Sequence, residues 1–157
     1  MSKWWAGVLT VTGSIVFLSL ACQPGADSDA TVVRVIDGDT IEVRIGLGQE
    51  RVRLVSVDTP EVRDPVECFG EEASRRTREL LRPGTKVRLQ RDVTDRDPFG
   101  RLLRYVFLPD GRLLSAVLVA EGYAEVVFYP PDRQHLDALM ESERVAWEEG
   151  RGLWGAC

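Results

Sequence analysis

Alternating β-branched residues on either side of a short Asp-Gly turn constrain this chain more than any other feature. Segments 31–36 and 41–45 flank the turn sequence Asp-Gly-Asp-Thr at 37–40. In the second segment apolar and charged residues alternate, in the order Ile41, Glu42, Val43, Arg44 and Ile45. A period of two is that of a strand with one buried face, and Asp-Gly between two such strands favours a hairpin. We therefore expect a fold built mainly on strands.

The remaining chain alternates strand patterns with helical ones. Strands are predicted at 51–57, 86–90 and 102–108, with a further short strand at 112–114 after the turn Pro109-Asp110-Gly111. Helices are predicted at 71–81, 115–121 and 132–149. The last helix carries a stripe that we interpret as core: Leu136, Leu139, Met140, Glu143 and Trp147. This order predicts an α+β, mainly β fold, a five-stranded barrel of oligonucleotide-binding type (OB-fold) with about three packed helices.

Composition narrows the class of protein. The 157 residues are 44% hydrophobic and 29% charged, which indicates one globular domain. The net charge is −5, so a protein that coats nucleic acid through a general positive field is excluded, and any polyanion must be bound locally. Lys3 and Lys86 are the only lysines. Nearly all basic residues are therefore arginine, which suits bidentate contacts to phosphate. Genome composition is the alternative explanation of this arginine content.

The first 22 residues have the profile of an export signal. Lys3 precedes an uncharged apolar run, 4–21, that ends at Cys22. An uncleaved membrane anchor is the alternative. Because the junction at 18–22 resembles a bacterial lipoprotein cleavage box, we expect an exported protein that is lipid-anchored in the cell envelope through Cys22, or secreted. Residues 23–30 are predicted to be a flexible linker, and 31–157 the folded domain.

Two cysteines remain once Cys22 is assigned. In an exported protein an even pair favours a disulfide, here between Cys68 and Cys157. Free thiols are the alternative. A metal site at these cysteines is not indicated, since no second cysteine or histidine lies at ligand spacing.

Three polar clusters carry the candidate chemistry. They are 37–40, Asp-Thr-Pro-Glu at 58–61, and Asp-Pro-Phe-Gly-Arg at 97–101. Each alone fits a turn, a helix start or a loop. Together, Asp39 and Asp58 at the ends of neighbouring strands, with the carbonyl of Thr59, would form an oxygen-only site for a hard divalent cation such as Ca²⁺.

The same clusters contain groups suited to phosphate chemistry. Glu61, three residues after Asp58, is a candidate to activate or orient a water molecule beside the metal. Arg53 and Arg101 are candidates to bind a phosphate and stabilise the charge that accumulates on it. His135 is not assigned as a base, because a lone histidine near a helix start is usually at the surface or in a cap.

Several segments resemble, in order and with similar spacing, the signatures of the staphylococcal nuclease (thermonuclease) family. They are 35–40, 52–61, 69–73 and 97–101, and the similarity continues through 120–124 and 152–154. The resemblance covers the chain from about residue 31 to the end. Four linked motifs are far more specific than one.

The resemblance implies an OB-type barrel with three helices and calcium-dependent hydrolysis of phosphodiester bonds in DNA and RNA. It implies that Asp39 and Asp58 bind the metal with the carbonyl of Thr59. It also implies that Glu61 activates the water and that Arg53 and Arg101 bind the phosphoryl group. The products expected are a 5′-hydroxyl and a 3′-phosphate, and we expect a monomer.

The nucleotide pocket departs from the family pattern. Where the family has tyrosines and a lysine, this chain has Pro98, Phe99, Phe128 and either Tyr129 or Pro130. Stacking on a base is kept, whereas hydroxyl and ammonium contacts to phosphate are lost. A non-catalytic nucleic-acid-binding OB-fold lipoprotein is the alternative function, and the presence of Arg53, Glu61 and Arg101 favours the hydrolase.

Overall fold

A closed five-stranded barrel forms the centre of the computed structural model, which describes residues 27–157. The barrel strands are β1 (Ser28–Val35), β2 (Thr40–Ile45), β3 (Gly48–Leu54), β5 (Lys86–Gln90) and β6 (Leu102–Phe107). Their order is β1-β2-β3-β6-β5, and β5 pairs again with β1. Only the β3–β6 pair is parallel. The α+β barrel predicted from the sequence is confirmed.

The alternating apolar residues fill the barrel interior. Residues that are at most 4% exposed come from each of the five strands, and examples are Val32, Ile41, Val43, Val52, Leu54, Val87, Leu89 and Val106. Because successive strand residues face opposite sides, the charged partners of these residues lie on the outer surface. The hydrophobic pattern thereby sets the pairing register of β2 and β3, in which Ile41 lies opposite Val52.

Helices pack against the barrel strands and against one another. They are α1 (Gly70–Leu80), α2 (Leu114–Ala120), α3 (Leu136–Glu148) and a short α4 (Leu153–Ala156). The three predicted helices are present, whereas α4 was not predicted. A small antiparallel ladder of β4 (Val57–Asp58) and β7 (Glu125–Val126) lies apart from the barrel and was not predicted either.

Two strand predictions need correction. The predicted strand at 112–114 is wrong: Leu113 makes a single bridge with Phe107, and Leu114 already begins α2. The turn closes when the amide of Leu108 donates to the carbonyl of Arg112, so little chain is left to pair. The predicted strand at 51–57 is interrupted by Ser56, whose φ of 63° breaks the extended backbone.

Two boundaries differ at the ends of the domain. β1 begins at Ser28, because Ser28 to Thr31 pair with β5, so residues 28–30 belong to the barrel and not to the predicted linker. α3 begins at Leu136 and not at 132, because the Asp132 carboxylate accepts two backbone N–H groups from another loop.

The predicted core stripe of α3 is only partly correct. Leu136 and Leu139 are buried, whereas Met140 and Trp147 are more than half exposed. The carboxylate of Glu143 accepts the backbone N–H of Val126 at 2.6 Å, and this contact joins α3 to β7.

The predicted export signal and Cys22 lie outside the described residues. Within residues 27–157, the helices all fall short of the length and apolar character needed to cross a bilayer. The structure joins Cys68, just before α1, to Cys157, just after α4, with a Cα–Cα distance of 6.0 Å.

Candidate active site

One end of the barrel gathers the residues predicted to act together. Asp39 ends the turn before β2, Arg53 lies near the end of β3, and Arg101 immediately precedes β6. Thr40 pairs with Arg53, and Arg53 pairs in turn with Leu103, so β2, β3 and β6 place these three positions side by side. The barrel register therefore explains why clusters distant in sequence share one surface.

Asp39 is a buried carboxylate with a full set of partners. Its Oδ1 forms an ion pair with Nε of Arg53 at 3.1 Å and accepts a hydrogen bond from the hydroxyl of Thr40 at 3.0 Å. Its Oδ2 accepts from the amide and the hydroxyl of Thr59, at 3.0 and 3.1 Å. Gly38 permits this approach, since a Cβ there would lie 2.4 Å from the Thr59 hydroxyl oxygen. The first two predicted clusters thus meet at Asp39.

Arg53 joins the two predicted metal ligands. It forms ion pairs with Asp39 and with Asp58, and its Nη1 donates to the carbonyl oxygens of Leu54 and Val57 at 3.0 and 2.6 Å. Its side chain is only 13% exposed. These contacts hold the guanidinium in one orientation beside both carboxylates.

This end of the barrel carries more negative charge than Arg53 neutralises. Burial raises the pKa of Asp58, and the adjoining Asp39 carboxylate raises it further, although Arg53 opposes both effects. Burial and the charge of Asp39 also raise the pKa of Asp37.

The pKa of Glu61 is also raised by the negative charge at this end of the barrel. Its exposed side chain follows β4, and its pKa is raised first by partial burial and then by the surrounding carboxylates, which are Asp37, Asp39, Asp58 and Glu67. The charges of the predicted metal ligands thus act on Glu61, and its place beside the metal remains a prediction. A carboxyl group with a raised pKa is better matched to proton transfer near neutral pH than an ordinary one.

The donor set fits a hard divalent cation. Within residues 27–157, no group of three or more His, Cys, Asp or Glu side chains is arranged to hold a metal ion. The predicted set is different, because it combines two carboxylates with the carbonyl of Thr59. The negative charge of Asp39 raises the pKa of Asp58, which indicates repulsion between the two carboxylates. A cation bound by both would relieve that repulsion. The metal-binding roles of Asp39, Asp58 and the Thr59 carbonyl remain predictions.

Arg101 is held by hydrogen bonds to the carboxylate of Asp97. Its Nε donates to Oδ2 of Asp97 at 2.6 Å, and Oδ1 of Asp97 accepts the backbone N–H groups of Phe99 and Arg101. Burial alone would raise the pKa of Asp97, but the bonds from Arg101 hold it below the usual value. Nη1 of Arg101 lies 3.5 Å from the Thr40 hydroxyl, which itself donates to Asp39.

A cleft of about 350 Å³ adjoins the two arginines. Arg53 and Arg101 line it together with four of the predicted pocket residues, namely Pro98, Phe99, Tyr129 and Pro130. Phe99 is 85% exposed and Tyr129 65% exposed, so both rings are accessible to a base. Phe128 does not line this cleft. A larger cleft of about 560 Å³ at the opposite end of the barrel contains none of the predicted site residues.

Two carboxylates missed by the sequence interpretation join the loops on either side of the cleft. Asp132 is buried and accepts the backbone N–H groups of Val93 and Thr94 at 2.9 and 2.8 Å. Asp92 in turn accepts the amides of Arg133 and Gln134 at 2.7 and 2.8 Å. In the sequence, Asp132 was interpreted as the start of a helix. No local pattern indicates that its carboxylate contacts Val93, which lies 39 residues earlier.

His135, which the sequence analysis did not assign as a base, is neither a free surface residue nor a side-chain cap. Its Nε2 lies 2.9 Å from Oε1 of Gln90, and its ring meets that of Tyr105 edge-on at 4.5 Å. Its side chain makes no capping hydrogen bond to α3.

Comparison with known proteins agrees with this architecture. The family model described as "Staphylococcal nuclease homologue" matches residues 51–156. The SPbeta prophage-derived endonuclease YokF and the endonuclease YncB, both of Bacillus subtilis (strain 168), are each 39% identical over 131 residues, which is 80% of this chain. The matches cover 44% of YokF and 61% of YncB, so the chain spans about half the length of these relatives.

A third relative matches along its whole length. The thermonuclease of Staphylococcus hyicus is 32% identical over 169 aligned positions, which cover 98% of this chain and 99% of that protein. The closed barrel of this chain carries acidic and arginine side chains at one end. The chain belongs to the staphylococcal nuclease family.

Proposed function

We propose that this protein is an exported, calcium-dependent nuclease that hydrolyses phosphodiester bonds of DNA and RNA. The observation that carries the proposal is the Arg53 guanidinium bonded to both Asp39 and Asp58, at the edge of a cleft that Arg101 also lines. Family membership and relatives named as endonucleases and a thermonuclease support it.

Nucleases of this family are generally metal-dependent, and we propose Ca²⁺ as the ion. Asp39, Asp58 and the carbonyl of Thr59 would hold it, since all three offer oxygen ligands. A divalent cation bound there supplies positive charge that polarises a water molecule and offsets the charge of the phosphate.

The two arginines bind the phosphodiester in this proposal. Arg53 has a fixed orientation, and Arg101 is held by Asp97, so both guanidinium groups are preorganised beside the cleft. Charge-assisted hydrogen bonds from them strengthen as negative charge develops on phosphorus, which favours the transition state over the bound substrate.

Glu61 acts as the general base. It accepts a proton from the attacking water, whose oxygen forms a bond to phosphorus while the bond from phosphorus to the 5′ oxygen breaks. The leaving oxygen takes a proton from the surrounding water and becomes the 5′-hydroxyl, and the phosphate stays on the 3′ side. This outcome is the one implied by the family resemblance.

Digestion of single-stranded DNA tests the function directly. Purified protein is incubated with DNA and Ca²⁺, with a chelator, or with Mg²⁺, Mn²⁺ or Zn²⁺ in place of Ca²⁺. Cleavage that requires Ca²⁺ and yields 3′-phosphate ends is expected. Binding of DNA without cleavage under every metal condition would contradict the enzyme and favour the non-catalytic binding protein.

We also propose export, with Cys22 as the lipidated first residue. The support is the sequence of residues 1–22. Mass spectrometry of the mature N-terminus is expected to find diacylglycerol on Cys22. Cleavage at another residue would indicate a secreted protein, and a retained Met1 would contradict cleavage altogether.

A further inference from the structure

The loop that carries Glu61 has almost no packing of its own. From Glu61 to Cys68 every side chain is exposed except Val62, which is half-buried. A surface segment of this kind is not held by burial in the core. The position of Glu61 must therefore depend on contacts at the ends of the loop.

The two ends of this loop are bonded to each other. The amide of Glu61 donates to the Glu67 carboxylate at 2.9 Å, and the amide of Glu67 donates to the Glu61 carbonyl at the same distance. Gly70 lies directly on that carbonyl, since a Cβ at position 70 would be 2.4 Å from its oxygen. Whatever holds residues 67–70 consequently also holds the backbone of Glu61.

Two consecutive residues fasten this unit to the rest of the domain. Cys68 is bonded to Cys157, and the ring of Phe69 stacks on Tyr123 with centroids 5.4 Å apart. Tyr123 and Cys157 belong to one packed corner, because the amide of Leu153 in α4 donates to the carbonyl of Gly122 at 2.9 Å. The loop is thus attached twice to the same corner of the domain.

We propose that the Cys68–Cys157 disulfide and the Phe69–Tyr123 stack are positioning elements for Glu61, which fix the general base relative to the phosphate. The inference rests on the proposed nuclease function. A misplacement of about 1 Å in a reacting group can cost on the order of 10²-fold in rate. Arg53 and Arg101 lie outside this loop, so substrate binding does not depend on it.

The test compares the full chain with its Cys68→Ser/Cys157→Ser variant on single-stranded DNA with Ca²⁺. We expect kcat to fall about tenfold, within the range that misplacement allows, while KM stays within about twofold. Phe69→Leu, which keeps the disulfide and removes the stack, is expected to lower kcat by a smaller factor. Leu89→Val, a core change in β5, is the matched control and should leave kcat unchanged below its unfolding temperature.

The effect of the cysteine substitutions in a protein without the Glu61 carboxylate distinguishes positioning of Glu61 from a purely structural role of the disulfide. In a Glu61→Gln background the cysteine substitutions should change the residual kcat by less than about twofold, because the positioned group is gone. An equal fold-loss in both backgrounds would show that the disulfide acts on stability alone and would overturn the inference.

The outcomes separate this inference from the proposed function. An unmodified protein that cleaves no DNA contradicts the function itself. An active protein whose folded cysteine variant keeps its kcat overturns only the positioning role, as does a non-reducing peptide map without a Cys68–Cys157 cross-link. If the cysteine variant does not fold, Phe69→Leu decides, and an unchanged kcat in that variant overturns the inference.

Discussion

Glu61 is a carboxylate whose environment favours chemistry at the expense of stability. Its pKa is raised by burial and by its acidic neighbours, so the ionised form at neutral pH opposes folding, and this effect disappears below the ordinary pKa of a glutamate. Glu61→Gln is expected to lower kcat by about 10²- to 10⁴-fold, the usual contribution of a general base. In chelator at pH 7 its melting temperature should not fall below that of the unmodified protein. A kcat near the original value would remove Glu61 from this role.

Arg101 is held so firmly that its loss should affect turnover more than folding. Arg101→Ala is expected to lower kcat by roughly 10²- to 10³-fold, as when one transition-state donor is removed. Its circular dichroism spectrum should be unchanged, because the Asp97 carboxylate still accepts the Phe99 amide. A rise in KM with unaltered kcat would instead show that Arg101 binds substrate and transition state equally.

His135 makes the folded state sensitive to mild acid. Burial lowers its pKa, helped by Arg88 and opposed by Asp92, so the unfolded chain binds a proton more readily. The stabilising contribution of neutral His135 is complete above the unfolded pKa of about 6.5 and is lost as the pH falls from there towards the folded value. We expect the melting temperature to drop less between pH 7.5 and 5.5 in His135→Gln than in the unmodified protein. Parallel curves would contradict this assignment.

At the scale of elements, the two loops beside the cleft depend on each other. Removing the Asp132 carboxylate leaves the amides of Val93 and Thr94 without their buried acceptor. Asp132→Ala is expected to lower the free energy of unfolding by about 1.5–3 kcal/mol, the range for a hydrogen bond to a charged group, and to raise KM because both loops line the cleft. Urea denaturation and steady-state kinetics measure the two effects. Asp137→Ala, at a side chain 88% exposed, should change neither.

The elements and site residues that could be predicted are those marked by a pattern of neighbouring residues in the sequence. Strands β2 and β5 alternate apolar and polar residues, and the ends of α1 are marked by acidic residues and a Pro-Gly pair. Asp39, Asp58 and Arg53 lie at strand ends, so the pairing of β2 with β3 already predicted that they meet. The β4–β7 ladder was missed because its two-residue strands pair across 67 and 69 positions, and the Asp132 contacts because they join distant loops. Such contacts arise only when distant segments meet in the folded domain, and they leave no periodic pattern in the sequence.

The whole molecule has too little positive charge to attract DNA from a distance. Its net charge is −5, and Arg53 and Arg101 are the two phosphate-binding groups of the proposed site. For single-stranded DNA each neutralised phosphate contributes about −0.7 to the slope of log K against log salt, so a slope near −1.4 is expected. Filter-binding titrations in Ca²⁺ measure this slope with Glu61→Gln, which is expected to cleave the DNA about 10²- to 10⁴-fold more slowly than the unmodified protein. A slope steeper than about −4 would indicate an extended basic surface.

The pairing of β5 with β1 also affects the tendency of this protein to aggregate. In an open sheet the outermost strands expose unpaired backbone groups to which another polypeptide can add, and crowded or heated solutions then form aggregates. Closure of the barrel pairs both of those outer strands with each other. Brief heating followed by cooling should therefore return dispersed, refolded molecules instead of a precipitate.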